Sequence, residues 1–173
     1  MKQISLILLI CCIAFSCTKK EKVTNETAFF DISNLVDSLL QIENKSTITR
    51  QLIVNGKKES KNLKDQDLTE IFEFLKQFNI NHPKLYDKYK VTKTANETMY
   101  KAIEEGFDLR EMKVIKNKTS IEEIQIYYKS ENLISSSEKM IIWNPATKLD
   151  FKNTNKTLWS DPQHMDISWT YKL

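Results

Sequence analysis

The last nine residues alternate without a break. Met165, Ile167, Trp169, Tyr171 and Leu173 take one parity, and Asp166, Ser168, Thr170 and Lys172 take the other. Successive side chains of a strand point to opposite faces, so this stretch has one dry face and one wet face, as an antiparallel sheet permits. The same period of two sets in near Tyr86. Tyr89-Lys90-Val91 and Met99 to Glu104 read as strands, then Leu109 to Lys116, the run around Ile124, Ile126 and Tyr128, and Leu133 to Trp143. Leu149 with Phe151 marks a further short strand, and Thr157 to Trp159 one more. Breaks at Asn117 to Ser120, Glu131-Asn132 and Asn144-Pro145 keep the connections short, which indicates a meander rather than crossovers through helices.

Turns in this chain have little glycine to draw on. Gly56 and Gly106 are the whole supply, so positive φ falls to asparagine, which tolerates that region best after glycine. Asparagines do stand at the breaks, among them Asn55, Asn81, Asn117, Asn132 and Asn144. Two isolated glycines also exclude a glycine-rich phosphate loop.

Residues 28–63 have a different rhythm. Phe29, Ile32, Val36, Leu39 and Glu43 follow steps of three and four, predicting a helix over Ala28 to Glu43 with Thr27 as its cap. Thr47 to Leu63 reads as a hairpin about Asn55-Gly56, and its return, Lys57-Lys58-Glu59-Ser60-Lys61, suits a sheet edge guarded against further pairing. Leu68, Ile71, Leu75 and Phe78 then form the stripe of a second helix over Asp65 to Phe78, ended before Pro83. The expected body is one domain over residues 28–173. Its expected class is α+β: two amphipathic helices packed on a long, curved antiparallel β-meander.

Ahead of that body stands Met1-Lys2 followed by Ile4 to Phe15, apolar apart from Ser5, then Ser16-Cys17 and the polar run from Thr18 to Thr27. A positive end, an apolar stretch and a small residue are the layout of a secretory signal. Its apolar run, about 12 residues, makes a helix of only ~18 Å, short of a bilayer core of roughly 30 Å. The cysteine at the cleavage point makes Ala14-Phe15-Ser16-Cys17 resemble the lipobox of bacterial lipoproteins, with Phe15 standing where a small residue is usual. The resemblance implies removal of residues 1–16, acylation of Cys17, and a tether over residues 17–27. The lipid bilayer is then a partner through Cys17. In lipoproteins of this kind an aspartate after the cysteine commonly retains the protein at the inner membrane. Thr18 is not aspartate, which implies the outer membrane of the cell envelope.

Loss of the first sixteen residues leaves 157 of 173, enough for a core without staples. The formal charge falls from +3 to +2 with Lys2, too close to balance for a nucleic-acid partner. Cys11 and Cys12 go with the signal, so one cysteine remains and neither a disulfide within the chain nor a thiolate metal site can form.

No motif carries recognisable chemistry, and no cofactor or metal is expected. Adjacent Glu104-Glu105 and Glu122-Glu123 point to opposite faces if in strands. Ser135-Ser136-Ser137 lacks the glycines of a nucleophile elbow. Asp161, His164 and Asp166 bring two carboxylates near an imidazole, the basis of a less favoured reading as an envelope hydrolase. Trp143, Trp159 and Trp169 are the candidate ligand or partner contacts, since aromatics on a sheet can line an apolar pocket. The expected function is a non-enzymatic binding or accessory module anchored to the envelope, with a carrier of lipid or another apolar ligand as the alternative.

Overall fold

A computed structural model describes residues 29–42, 48–63, 65–118 and 120–172. The signal, Cys17, the tether, Thr27, Glu43 and Leu173 lie outside them. The described residues open with a helix, α1 (Ile32–Leu40), capped by Asp31, whose carboxylate accepts from Asn34 N–H at 3.1 Å. This satisfies one of the free donors of the first turn. The hairpin β1 (Ile48–Val54) and β2 (Lys57–Leu63) follows, then α2 (Asp65–Leu75), which tightens into a 3-10 turn at Lys76–Phe78. Seven further strands complete the described residues. They are β3 (Tyr89–Lys93), β4 (Glu97–Ala102), β5 (Leu109–Asn117), β6 (Ser120–Glu131), β7 (Ser135–Asn144), β8 (Lys148–Thr157) and β9 (Ser160–Thr170).

All nine strands belong to one antiparallel sheet, in the order β2-β1-β9-β8-β7-β6-β5-β4-β3. The expected α+β body, with two helices sharing the architecture with a curved meander, is thereby corrected. Among the described residues the two α-helices are short, nine and 11 residues, and the sheet dominates. Two physical causes separate expectation from structure. The sequence of β8 loses its apolar alternation after Phe151, yet ladder hydrogen bonds to both neighbours carry it through polar residues to Thr157. The N-terminal hairpin, whose partner strand the sequence does not name, pairs along β9 from Thr49↔Thr170 to Val54↔Met165. The expected strand over Thr157 to Trp159 is thus the end of β8 and a turn. Likewise, Leu133 and Ile134 belong to the β6–β7 turn rather than to β7.

The register lines up apolar side chains in rows across the sheet. Met112, Ile126, Ile141, Phe151, Ile167 and Leu52 are successive partners from β5 to β1. The next row of the same face runs Val114, Ile124, Trp143, Leu149 and Trp169, and ends on Arg50. Both helices pack on this face. Val36 of α1 and Leu75 of α2 are wholly buried, and Phe72 lies 5.6 Å from the Trp143 ring. Burying one such side chain contributes about 1.5–3 kcal/mol. Phe29 packs edge-on against Tyr86, Tyr89 and Tyr100, fixing the entry to α1 against β3 and β4. Among the described residues, no helix is long and apolar enough to cross a membrane.

Candidate functional site

Nine strands at about 4.8 Å spacing span roughly 38 Å. The two helices of the described residues, each about 10 Å across and no more than ~17 Å long, do not by themselves cover that face. The uncovered part lies at the β1–β9 side, where it forms a groove of about 420 Å³ beneath the flank of α2. Its floor is Phe151 of β8 and Met165, Ile167 and Trp169 of β9. Leu63 closes one side, and Ile71 and Phe74 of α2 overhang the other. The helix presents these two because Leu68, Phe72 and Leu75 occupy its core stripe, leaving Ile71 and Phe74 on the margin. Phe74 is 41% exposed and meets Phe78 and Phe151 edge-on at 5.5 and 5.8 Å.

The groove carries two charged side chains among its described lining residues, Arg50 and Glu70. Arg50 stands directly opposite Trp169 in the register, at the end of an otherwise apolar row. Its only ion pair among the described residues is a loose one, Nη2 to Glu59 Oε1 at 3.8 Å, with Glu59 largely in solvent. The guanidinium therefore keeps donors for a further acceptor, and it can grip a carboxylate or phosphate oxygen bidentately. A pocket of this size, mostly apolar with few polar groups, suits a small ligand with an apolar body and one anionic group.

The three expected tryptophans separate. Trp169 lines the groove. Trp143 is wholly buried, and its Nε1–H donates at 2.8 Å to the Tyr171 hydroxyl, so it belongs to the core. Trp159 lies in the β8–β9 turn, 79% exposed and away from the groove. Cys17 is outside the described residues. The imidazole Nδ1 of His164 lies 3.1 Å from Thr154 Oγ1, a hydroxyl rather than either aspartate. Among the described residues no three His, Cys, Asp or Glu side chains are grouped to hold a metal. His82 caps a short 3-10 turn at Pro83–Leu85, its Nδ1 accepting from Lys84 N–H at 3.3 Å.

Of the groove lining, Trp169 alone was a candidate from the sequence; Arg50, Leu63, Glu70, Ile71, Phe74, Phe151, Met165 and Ile167 were missed. The available signal was one of two arginines in the chain, set at an apolar parity of β1 between Ile48 and Leu52. Compared with protein-family models, with curated proteins and with solved structures, the chain matches none.

Proposed function

We propose that this chain is an exported, lipid-anchored protein of the bacterial cell envelope, at the outer membrane, whose body binds an apolar acid without converting it. The single observation that carries the binding half is the groove under α2, apolar except for Arg50 and Glu70. Seven apolar side chains there would exclude water from a hydrocarbon body, while Arg50 would meet its anionic end. Glu70 would repel a second negative charge, so a monoanion suits the groove better than a dianion. The anchoring half is supported by Lys2, the apolar stretch Ile4 to Phe15 and the Ser16-Cys17 junction. One acyl chain alone holds a protein marginally, whereas the two or more implied at such a cysteine hold it stably.

Titration with oleate and with the uncharged oleyl alcohol tests the binding half. One equivalent of oleate should bind at least about tenfold more tightly than the alcohol, a difference of ~1.4 kcal/mol. Arg50→Leu should remove that preference, and the oleate should be recovered unchanged. Equal affinity for acid and alcohol in the unaltered chain would overturn the proposal, as would no binding of either. Incorporation of labelled palmitate, lost on Cys17→Ala, tests the anchor separately.

A further inference from the structure

Four large apolar side chains stand in solvent at the tips of two neighbouring hairpins. Leu133 and Ile134 form the β6–β7 turn and are 96% and 53% exposed, while Leu158 and Trp159 form the β8–β9 turn at 68% and 79%. The two turns are tied to each other, since Leu158 N–H donates to the Ile134 carbonyl at 3.1 Å. Each is also fixed internally. Asn132 Oδ1 accepts from both Ile134 N–H and Ser135 N–H, and the Thr157 and Ser160 hydroxyls lie 2.8 Å apart across the other turn.

Two-residue hairpin turns favour Asn-Gly and similar small pairs. This chain uses such a pair at Asn55-Gly56, but sets Leu158-Trp159 in the β8–β9 turn. Local preference is given up there for apolar surface that contributes nothing to the core, which marks a functional position. A contiguous apolar patch of this kind belongs to a protein or a membrane contact. A standard protein interface needs roughly 800 Å² from each partner and a matching surface. Four side chains on two hairpin turns do not offer that area, whereas a fluid lipid surface moulds to whatever shape they present. Tryptophan in particular settles at the level of the headgroups.

The position of the tips agrees. β6 and β8 end, and β3 begins, at the same end of the sheet. Phe29, the first described residue, packs against Tyr89 at that end of β3. In register, Leu109 of β5 faces Tyr128 of β6, and β6 runs on to Glu131, so the tips project roughly 10 Å beyond Leu109. Cys17 is twelve residues before Phe29, a length of chain that can reach at most ~40 Å. An anchor at Cys17 therefore holds the body with its apolar tips within reach of the same bilayer. Near the tips stand Lys156, Asp161 and Glu131, the last paired with Lys129 at 2.8 Å. Their mixed signs require no anionic lipid.

We infer that Leu133, Ile134, Leu158 and Trp159 form a second membrane contact that dips into an uncharged lipid surface and fixes the orientation of the body on it. The inference draws on the anchor reading for the surface at hand, but its test does not depend on acylation. The full chain is reconstituted in phosphatidylcholine vesicles whose acyl chains carry bromine, a short-range quencher of tryptophan emission. Acylated Cys17 or the apolar stretch Ile4 to Phe15 brings the body to the vesicle in either case, and palmitate labelling reads the anchor alone. Trp159 emission should shift to the blue and be quenched, and Trp159→Phe should remove most of that quenching. Leu133→Ser with Leu158→Ser should reduce it by more than half at an unchanged Tm, because neither side chain is in the core. Salt should leave it unaltered. The inference is overturned if Trp159 stays open to an aqueous quencher on vesicles, or if cross-linking shows its turn covered by a second copy.

Discussion

Trp143 and Tyr171 are joined inside the core, the indole Nε1–H donating to the tyrosine hydroxyl at 2.8 Å. That hydroxyl in turn donates to the Asn144 carbonyl at 3.1 Å, and Phe72 packs edge-on against the Tyr171 ring at 5.5 Å. One oxygen thus satisfies the indole of β7 and a carbonyl at the turn that follows. Tyr171→Phe keeps the ring but leaves the buried indole N–H without an acceptor. We expect a loss of about 1–3 kcal/mol in urea unfolding, with the slope unchanged. A loss below about 0.5 kcal/mol, the range of neutral surface changes, would refute the shared-oxygen account.

Alkaline pH should weaken the fold through its buried tyrosines. Burial pushes the Tyr89 hydroxyl up to about 12, the Arg110 charge opposing it, and burial also raises Tyr100 and Tyr171. Tyr89 donates to the Leu109 carbonyl at 2.9 Å, a bond that ionisation would abolish. The unfolded chain gives up its proton first, near pH 10, and so binds fewer protons than the folded chain above that pH. Stability from Tyr89 is therefore complete below about pH 10 and declines as pH rises toward 12. Thermal unfolding followed over that window should show a shallower decline in Tyr89→Phe. An identical slope would sink the assignment.

Much of the fold was legible where one signal decided the matter. Asn55-Gly56 specified the hairpin, and both residues hold positive φ, 46° and 82°. The lysine-rich return strand is an outer edge of the sheet. The helical stripe of Asp65 to Phe78 was legible too, though not the tightening of its last turn, Lys76–Phe78, into a 3-10 helix. What could not be read was non-local. Pairing of β1 with β9 joins residues more than a hundred positions apart, and nothing in either strand names the other. The groove follows from that pairing, because Arg50 becomes a groove residue only when set opposite Trp169. The turn after β5 misled differently: Lys118, not Asn117, takes the positive φ of 49°.

The β1–β2 turn does more than reverse the chain. Asn55 Oδ1 accepts from His164 N–H at 2.9 Å, while Asn55 N–H donates to the His164 carbonyl at 3.0 Å. The hairpin tip is thus clamped to β9, just beyond the last ladder pair at Val54↔Met165. Gly56→Ala meets no side chain within 4 Å, so its cost is the backbone alone, about 1–2 kcal/mol for a left-handed residue with a Cβ. Asn55 already carries a Cβ at positive φ, so Asn55→Ala costs less on the backbone and takes most of its loss, about 0.5–1.5 kcal/mol, from the His164 N–H left without its side-chain partner. A negligible loss in urea unfolding would show that the clamp contributes nothing.

Asp31 ties the first helix to the chain beyond the second. Its carboxylate accepts from Asn34 N–H, from Asn79 Nδ2 at 3.1 Å and from Asn81 Nδ2 at 3.2 Å. The cap and the two amides make three bonds to one side chain, from two elements distant in sequence. Asp31→Ala should cost more than the ~1 kcal/mol typical of a lost cap. Asn79→Ala in the Asp31→Ala background should then add less than it does alone, the coupling expected of direct partners. Strict additivity of the two changes would refute the tie.

The groove and the hairpin tips make opposite predictions for the same probe. Ile71 overhangs the groove from α2 and is only partly buried, so Ile71→Trp has room to grow into the empty volume. Filling it removes the apolar space a ligand would occupy, while added contacts with Phe151 and Ile167 offset the larger side chain's loss of freedom. Oleate affinity should therefore fall at least about tenfold, ~1.4 kcal/mol, with Tm within a few degrees of the unaltered chain. Trp159→Ala, on the exposed β8–β9 turn, should leave oleate affinity as it was and weaken only the contact with vesicles. If Trp159→Ala lowers oleate affinity and Ile71→Trp does not, the binding surface is the hairpin tips and the groove is merely the margin of a core too wide for two short helices.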